Sequence, residues 1–205
     1  MWQNVKNFLL DLFFPKFCLG CQREGTYLCE DCKSILEISS LHKTFKTEEL
    51  DDLYFPLENR KPLLENLIKS FKSEPFIKDL SVPLSSLIID HFQLLDKPPL
   101  FCKEKSNFIL IPVPLDKKKL RWRGFNQAEE IAEQLSAFLG ISLVKNVLTK
   151  KETFYCQNKE GIENKKVLLV DDTYSTGSTM KECAKALRVN GVKEVIGIII
   201  NRVNV

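Results

Sequence analysis

Residues 166–170 (KVLLV) make up an apolar run that is followed at once by two aspartates and a loop rich in hydroxyl groups. A strand that is buried on both faces of a parallel sheet is typically a continuous apolar run of this kind. Around it, the residue pattern predicts further strands at 107–111, 141–148 and 192–200, and helices at 126–139 and 180–190. Strands that alternate with helices predict an α/β domain with a mostly parallel sheet flanked by helices.

Two stretches of helical periodicity precede this α/β pattern. One runs from Leu64 to Phe71, and a second helix is predicted to begin at Pro75, a residue favoured in the first turn. Within the α/β pattern, Asn126 is the predicted cap of helix 126–139, with Glu129 completing a capping box, and Gly140 ends it. Residues 2–14 place their large apolar side chains on one face of a further helix.

The segment after the apolar run has the features of a site for a sugar phosphate. Asp171 and Asp172 end the predicted strand, and Gly177 lets a ligand approach the backbone closely. Backbone N–H groups at the start of the next helix would bind an anion. The donors and backbone of this loop come from Thr173, Tyr174, Ser175, Thr176, Gly177, Ser178 and Thr179. No G-K-[ST] sequence follows, which excludes a Walker phosphate loop. An acidic pair beside a phosphate cradle suits a ligand with ribose hydroxyls and a 5′-phosphate.

Four of the seven cysteines form two C-x2-C pairs, separated by seven residues. These are Cys18, Cys21, Cys29 and Cys32. Two such pairs can supply four thiolates to one tetrahedral Zn²⁺ with no open position, so the predicted role of the metal is structural. Cys183 lies on the apolar face of its predicted helix and is interpreted as a small hydrophobic residue, whereas Cys102 and Cys156 are assigned no role.

Three segments, taken in order, resemble the ComF family of competence protein F and GntX-like proteins. They are LLDLFFPKFCLGC, IPVPLDKKKLRWRGFNQAEEIA and VLLVDDTYSTGST. The last also resembles the phosphoribosyl pyrophosphate (PRPP) signature of type I phosphoribosyltransferases. The resemblance extends from about residue 8 to Arg202 and implies a type I phosphoribosyltransferase-like fold preceded by a zinc ribbon. The ComF family is associated with competence and the uptake of transforming DNA.

The resemblance also implies roles for individual residues. Asp171 and Asp172 would be catalytic, holding the ribose hydroxyls directly or through Mg²⁺, and residues 173–179 would bind the 5′-phosphate of PRPP. Residues 112–127 would be the pyrophosphate loop, with Arg121, Arg123 and Gly124 nearest the leaving group. Residues 149–165 would be a flap that closes over PRPP, although the stretch from Asn158 to Lys165 is shorter than the family usually has.

A basic run overlaps this loop and admits a second interpretation. Five of the seven residues from Lys117 to Arg123 are basic, and Trp122 lies among them. One interpretation is that the run is part of the pyrophosphate loop. A second is that it contacts a single-stranded nucleic acid by charge and stacking, through Lys117, Lys118, Lys119 and Trp122. A third is that it is an ordinary solvated loop.

Charge and the order of the motifs also predict the type of ligand, the domain boundaries and the location of the protein. Residues 101–205 carry 18 basic and 12 acidic side chains, which suits a phosphate-bearing ligand. We predict an N-terminal helix and zinc ribbon at 1–40, a linker at 41–59 and a phosphoribosyltransferase-like domain at 60–205. No membrane span or secretory signal is apparent, so a cytoplasmic location is expected. Two functions remain open: binding of PRPP or a related ribose phosphate, with possible Mg²⁺-dependent transfer to an unknown acceptor, or a non-catalytic adapter for single-stranded DNA or a DNA-processing partner.

Overall fold

The computed structural model describes residues 15–203, so the helix expected at residues 2–14 lies outside the described part. The described helices are α1 (Glu30–Ser34), α2 (Pro62–Lys72), α3 (Ser81–Leu94), α4 (Leu100–Lys103), α5 (Lys117–Arg123), α6 (Gln127–Leu139) and α7 (Ser178–Val189). The strands are β1 (Asp52–Tyr54), β2 (Leu57–Glu58), β3 (Phe108–Pro112), β4 (Leu148–Lys150), β5 (Phe154–Cys156), β6 (Lys166–Val170), β7 (Thr173–Tyr174), β8 (Glu194–Ile198) and β9 (Asn201–Arg202). None of these helices is long and apolar enough to cross a membrane.

The main sheet contains four strands in the order β1-β8-β6-β3, and every neighbouring pair is parallel. A second, three-stranded sheet, β2-β9-β7, is also parallel and continues from the carboxyl ends of β1, β8 and β6. Strands β4 and β5 form a separate antiparallel hairpin. The predicted α/β class with a mostly parallel sheet is confirmed.

Strand β6 is buried on both faces, as its apolar run predicts. Leu168 and Val170 belong to a core cluster with α2, α3 and α6, whereas Val167 and Leu169 pack in a second cluster with α7. Successive side chains of a strand point to opposite faces of the sheet. Because these four residues alternate between the two clusters, helices pack on both faces of the sheet. This arrangement leaves the carboxyl end of β6 as the edge at which a ligand can reach the sheet.

The helix and strand boundaries differ from the sequence prediction in several places. Helix α3 begins at Ser81, after a 3₁₀ turn, and not at Pro75. Residues 141–148 contribute a single bridge between Leu110 and Leu143 and then the start of β4. Asn126 does cap α6, but Glu129 forms an ion pair with Lys145 (2.7 Å) and no capping hydrogen bond.

Residues 41–59, which the sequence analysis interprets as a linker, contribute two strands. Strand β1 pairs with β8, and β2 pairs with β9. Leu53 and Leu57 are buried. The segment is acidic overall, so its composition does not indicate buried strands. Strands of two or three residues are also too short to show periodicity. Part of the predicted linker therefore lies at the edge of both sheets.

Candidate functional site

The two aspartates lie directly after β6 and are fixed by the sheet. The backbone N–H of Asp171 donates to Ile198 O (3.0 Å), and Ile200 N donates to Asp172 O (3.0 Å). Asp172 N donates to Asp171 Oδ1 (2.8 Å), while Thr173 Oγ1 donates to Asp172 Oδ1 (2.9 Å). The parallel pairing of β6 with β8 thus holds both carboxylates at the carboxyl edge of the sheet.

The environment of this acidic pair favours the neutral form of one member. Burial, followed by the neighbouring Asp172 carboxylate, raises the pKa of Asp171 to about 7. A carboxyl with a raised pKa loses its proton only as the pH rises through that value. Asp171 is therefore able to change charge near neutral pH, as groups in binding and catalytic sites often do.

The loop after the aspartates forms one wall of a cavity of about 220 Å³, which is lined by Lys72 and residues 171–180. Gly177 precedes α7 with a φ of +75°, in the left-handed region that glycine tolerates best. Thr176 Oγ1 accepts from Ser178 N (3.4 Å) and lies 3.2 Å from Ser178 Oγ. The cavity combines hydroxyl groups with the N-terminus of a twelve-residue helix, an arrangement that binds anions.

A second cavity of about 220 Å³ adjoins the first, because Lys72, Asp171, Asp172 and Thr179 line both. Its other charged walls are Lys119 and Arg123 of α5, Lys150 of β4, and Asp116. The Nε atom of Arg123 is buried and has no hydrogen-bond partner among the described residues. Burial lowers the pKa of Arg123, although the Asp172 carboxylate opposes that shift. The arrangement offers four lysine or arginine side chains beside the acidic pair.

The structure brings together only part of the predicted pyrophosphate loop. Residues 117–123 form helix α5, whose first N–H groups are capped by Asp116. Arg123 and Lys119 line the second cavity, but Arg121, Gly124, Lys117 and Lys118 do not. Trp122 is 60% exposed and packs edge-on against Phe76, with 4.7 Å between ring centroids. The expected loop is therefore a short helix that presents only some of its basic side chains to the acidic pair.

The lining residues that the sequence analysis did not name individually as site residues include Lys72, Lys150 and Gln127, although Gln127 lies within the predicted pyrophosphate loop. Gln127 belongs to the R-G-F-N-Q block, and its Nε2 donates to Phe71 O (3.2 Å) at the end of α2. Lys150 is brought in by the β4–β5 hairpin, within the segment predicted to be a flap. Lys72 precedes Asp172 by 100 residues, and nothing in its local sequence marks it.

The four cysteines of the C-x2-C pairs form a separate cluster. Their sulfur atoms all lie within 4.8 Å of one another, and the Cys21 and Cys29 sulfurs are 3.5 Å apart. Cys18, Cys29 and Cys32 are buried, whereas Cys21 is exposed. Four converging thiols that form no disulfide fit a tetrahedral metal ion. Burial acts to raise the pKa of Cys18, but backbone hydrogen bonds from Cys21, Cys29 and Gly20 lower it to about 6. Burial and hydrogen bonds with the other three thiols raise the pKa of Cys32 to about 12, so the thiolate that a metal requires is favoured at Cys18 and disfavoured at Cys32.

Helix α2 touches both sites. Asn66 Nδ2 donates to Leu19 O (3.1 Å) inside the first C-x2-C pair, and Lys72, the last residue of the helix, reaches the acidic pair. Lys61, which precedes the helix, donates to Leu36 O (2.6 Å). The cysteine module therefore packs on the same helix that carries a lining residue of both cavities.

Comparison with known proteins finds relatives among competence proteins. Competence protein F of Haemophilus influenzae is 33% identical over 106 residues, which are 42% of this chain and 46% of that protein. Competence protein ComFC of Bacillus subtilis is 31% identical over 96 residues, 42% of this chain and 40% of that protein. The matches thus span less than half the length of either relative. They confirm the resemblance to the ComF family that the sequence motifs indicate.

Two further matches are to a solved structure and to a family model. The chain in a crystal structure of purine phosphoribosyltransferase from Pyrococcus horikoshii Ot3 is 20% identical in sequence, with a TM-score of 0.35. The match covers 58% of this chain and 67% of that chain. Residues 80–202, more than half of the chain, match the family model described as "Phosphoribosyl transferase domain". They contain both aspartates, the hydroxyl-rich loop and all but Lys72 of the cavity walls. This chain therefore belongs to the phosphoribosyl transferase domain family.

Proposed function

We propose that this chain binds PRPP or a related ribose phosphate and transfers the phosphoribosyl group to an acceptor. The observation that carries the proposal is the meeting of two cavities at one acidic pair. The hydroxyl-rich loop would take the 5′-phosphate, and Asp171 and Asp172 would take the ribose hydroxyls. Arg123, Lys119 and Lys150 would face the pyrophosphate.

The chemistry of the transfer suits this division of charge. The bond between C1 of ribose and the pyrophosphate oxygen breaks, and its electron pair leaves with pyrophosphate, so positive charge develops on the sugar. A lone pair of the acceptor forms the new bond to C1, and the acceptor gives up its proton. Basic side chains that line the second cavity would stabilise the negative charge on the pyrophosphate, while the acidic pair holds the ribose through its hydroxyl groups. Mg²⁺ bound to PRPP would neutralise further charge on the pyrophosphate. The β4–β5 hairpin, which carries Lys150, would cover the bound ligand and exclude water.

The structural metal and the cellular setting are parts of the same proposal. The four-cysteine cluster would hold Zn²⁺, the ion that most often occupies a site with four sulfur ligands. Such a site requires reduced thiols, which favours a cytoplasmic location. Because its relatives are named competence proteins, we place the chain in DNA uptake or the handling of incoming DNA.

Replacing Asp171 with asparagine is expected to weaken binding of PRPP with Mg²⁺ by about 10- to 100-fold. This range corresponds to the loss of one charge-assisted hydrogen bond. Isothermal titration calorimetry measures the affinity, and the ligand-induced rise in Tm checks it independently. Asp96→Asn, at an exposed carboxylate after α3 that lines neither of the two cavities, is the matched control and should keep the affinity. Wild-type protein that does not bind PRPP would contradict the proposed function.

A second function, binding of single-stranded DNA, is favoured by the surface of α5. Lys117, Lys118 and Arg121 are exposed there beside Trp122, so a chain of phosphates and bases has charge and an aromatic ring to contact. We expect the triple variant Lys117→Ala, Lys118→Ala and Trp122→Ala to lose most of the affinity for an oligothymidine and to show a flatter dependence on salt. Fluorescence anisotropy at several salt concentrations measures both. Equal affinity and equal salt slope in variant and wild type would exclude this surface as a DNA site.

A further inference from the structure

Lys72 stands at the boundary between the two cavities and is in contact with the acidic pair. Its Nζ lies 2.8 Å from Asp172 Oδ1 and 3.0 Å from Thr173 Oγ1. The Asp172 side chain is only 8% exposed, and that of Lys72 is 31% exposed. A largely buried carboxylate at the sheet edge is therefore neutralised by a cation of this chain, within a site whose ligand is an anion.

The position of Lys72 is fixed by the packing on either side of it. Phe71 is fully buried and packs against Phe125, with 5.4 Å between ring centroids. The backbone oxygen of Phe71 accepts from Gln127 Nε2, and Ser73 N closes the last turn of α2 on Lys69 O (2.8 Å). The backbone at the end of α2 is thus attached to the start of α6, and it presents the Lys72 side chain to the acidic pair.

The hydrogen bonds of the pair leave a particular set of atoms for a ligand. Oδ1 of Asp171 accepts from Asp172 N, and Oδ1 of Asp172 receives both Thr173 Oγ1 and Lys72 Nζ. Among residues 15–203, the three donors Asp172 N, Thr173 Oγ1 and Lys72 Nζ all contact Oδ1 atoms of the two carboxylates and not their Oδ2 atoms. Two Oδ2 atoms remain, which suits the two hydroxyl groups of a ribose.

The charge of Lys72 also bears on metal binding. A divalent cation at the acidic pair would lie within a few ångströms of the Lys72 ammonium, and like charges at that distance repel strongly in a partly buried site. A ribose hydroxyl carries no charge and meets no such repulsion. Lys72 therefore disfavours a metal at the pair while it leaves the hydroxyl-binding atoms accessible.

We propose that Lys72 supplies the positive charge at the acidic pair, so that Asp171 and Asp172 bind ribose hydroxyls directly and without a metal ion between them. The inference rests on the proposed function and deepens it. Mg²⁺ would then enter only with the pyrophosphate of PRPP. A ligand that lacks pyrophosphate, such as ribose 5-phosphate, would bind without Mg²⁺.

The test measures ribose 5-phosphate binding by calorimetry in metal-depleted buffer and again with added Mg²⁺. Chelators are left out so that the cysteine cluster keeps its metal. Wild-type protein should bind equally well in both buffers. Lys72→Met should bind at least about 10-fold more weakly without Mg²⁺, and Mg²⁺ should restore part of the affinity, because the metal can now occupy the unpaired acidic pair. Mg²⁺ alone should raise the Tm of Lys72→Met but not that of wild type.

Two further variants separate this role from a loss of folding. Lys72→Arg keeps the charge and should keep Mg²⁺-independent binding. Lys78→Met breaks a similar ion pair outside both cavities, with the 11% exposed Glu130 side chain, and should bind as wild type does. Mg²⁺-dependent binding by wild type, or wild-type behaviour of Lys72→Met, would overturn the inference while the proposed function stands. Wild-type protein that binds ribose 5-phosphate in neither buffer would overturn both.

Discussion

Replacing Gly177 with alanine is expected to weaken binding of ribose 5-phosphate by about 10- to 100-fold, or more. Gly177 has a φ of +75°, a conformation that costs an L-residue roughly 1–2 kcal/mol. A Cβ at this position would also overlap the ring of Tyr174. That ring is buried and packs edge-on against Phe45, so it has little room to move. The loop must shift instead, and its N–H groups then lose their common direction toward the phosphate.

Gly140→Ala is the matched control for this prediction. Gly140 has a φ of +66° at the end of α6, and its added Cβ would meet only Lys105 Nζ at 3.6 Å, an ordinary contact. Both variants carry the backbone penalty, but only Gly177→Ala carries the overlap with Tyr174. Calorimetry with ribose 5-phosphate gives the affinities, and thermal unfolding gives the stabilities. Equal binding by the two glycine variants would argue against residues 173–179 as the phosphate cradle.

Cys29→Ser is expected to lose the bound metal and to unfold at a much lower temperature than wild type. Cys18, Cys29 and Cys32 share a core cluster with residues of α2 and α3, so loss of the metal releases packing as well as ligands. Binding of a structural Zn²⁺ contributes directly to folding free energy. A loss of about 4 kcal/mol lowers the Tm of a chain of this size by roughly 8–16 °C.

Elemental analysis of the purified protein is the first measurement, and one Zn²⁺ per chain is expected. Cys102→Ser changes the same residue type outside the cluster and should retain the metal and nearly the wild-type Tm. Wild-type protein without zinc would refute the assignment of the metal. Retention of zinc by Cys29→Ser would show that the four sulfurs do not act as one site.

The sequence predicted the parts of the fold that depend on local pattern. The run KVLLV, the asparagine cap and glycine stop of α6, and the paired cysteines each have a physical signature within a few residues. Strands β1 and β2 lack such a signature, because two or three residues in an acidic segment show no periodicity. Their partners lie about 140 residues away, and only the tertiary structure brings them together.

The candidate site also contains some residues that could be predicted from the local sequence and others that could not. Asp171, Asp172 and the loop to Thr179 follow one another along the chain, so their common location was predictable from one buried strand. Lys72 and Lys150 reach the same cavities from α2 and from the β4–β5 hairpin, and their neighbours in sequence give no sign of it. Helix α5 was mistaken for a loop because its basic residues were interpreted through charge and not through the cap that Asp116 provides.

The pairing of β1 with β8 and of β2 with β9 also has a consequence for the order in which this protein forms during synthesis. All four cysteines of the cluster have been synthesised once residue 32 has left the ribosome, so they can bind a metal before the rest of the chain is made. Strands β1 and β2 must wait for residues 194–202 before they have partners. The loop strand β7 waits for β9 as well. Contacts between such distant residues fold slowly, so the metal site is expected to be the first part to form and the phosphate site among the last.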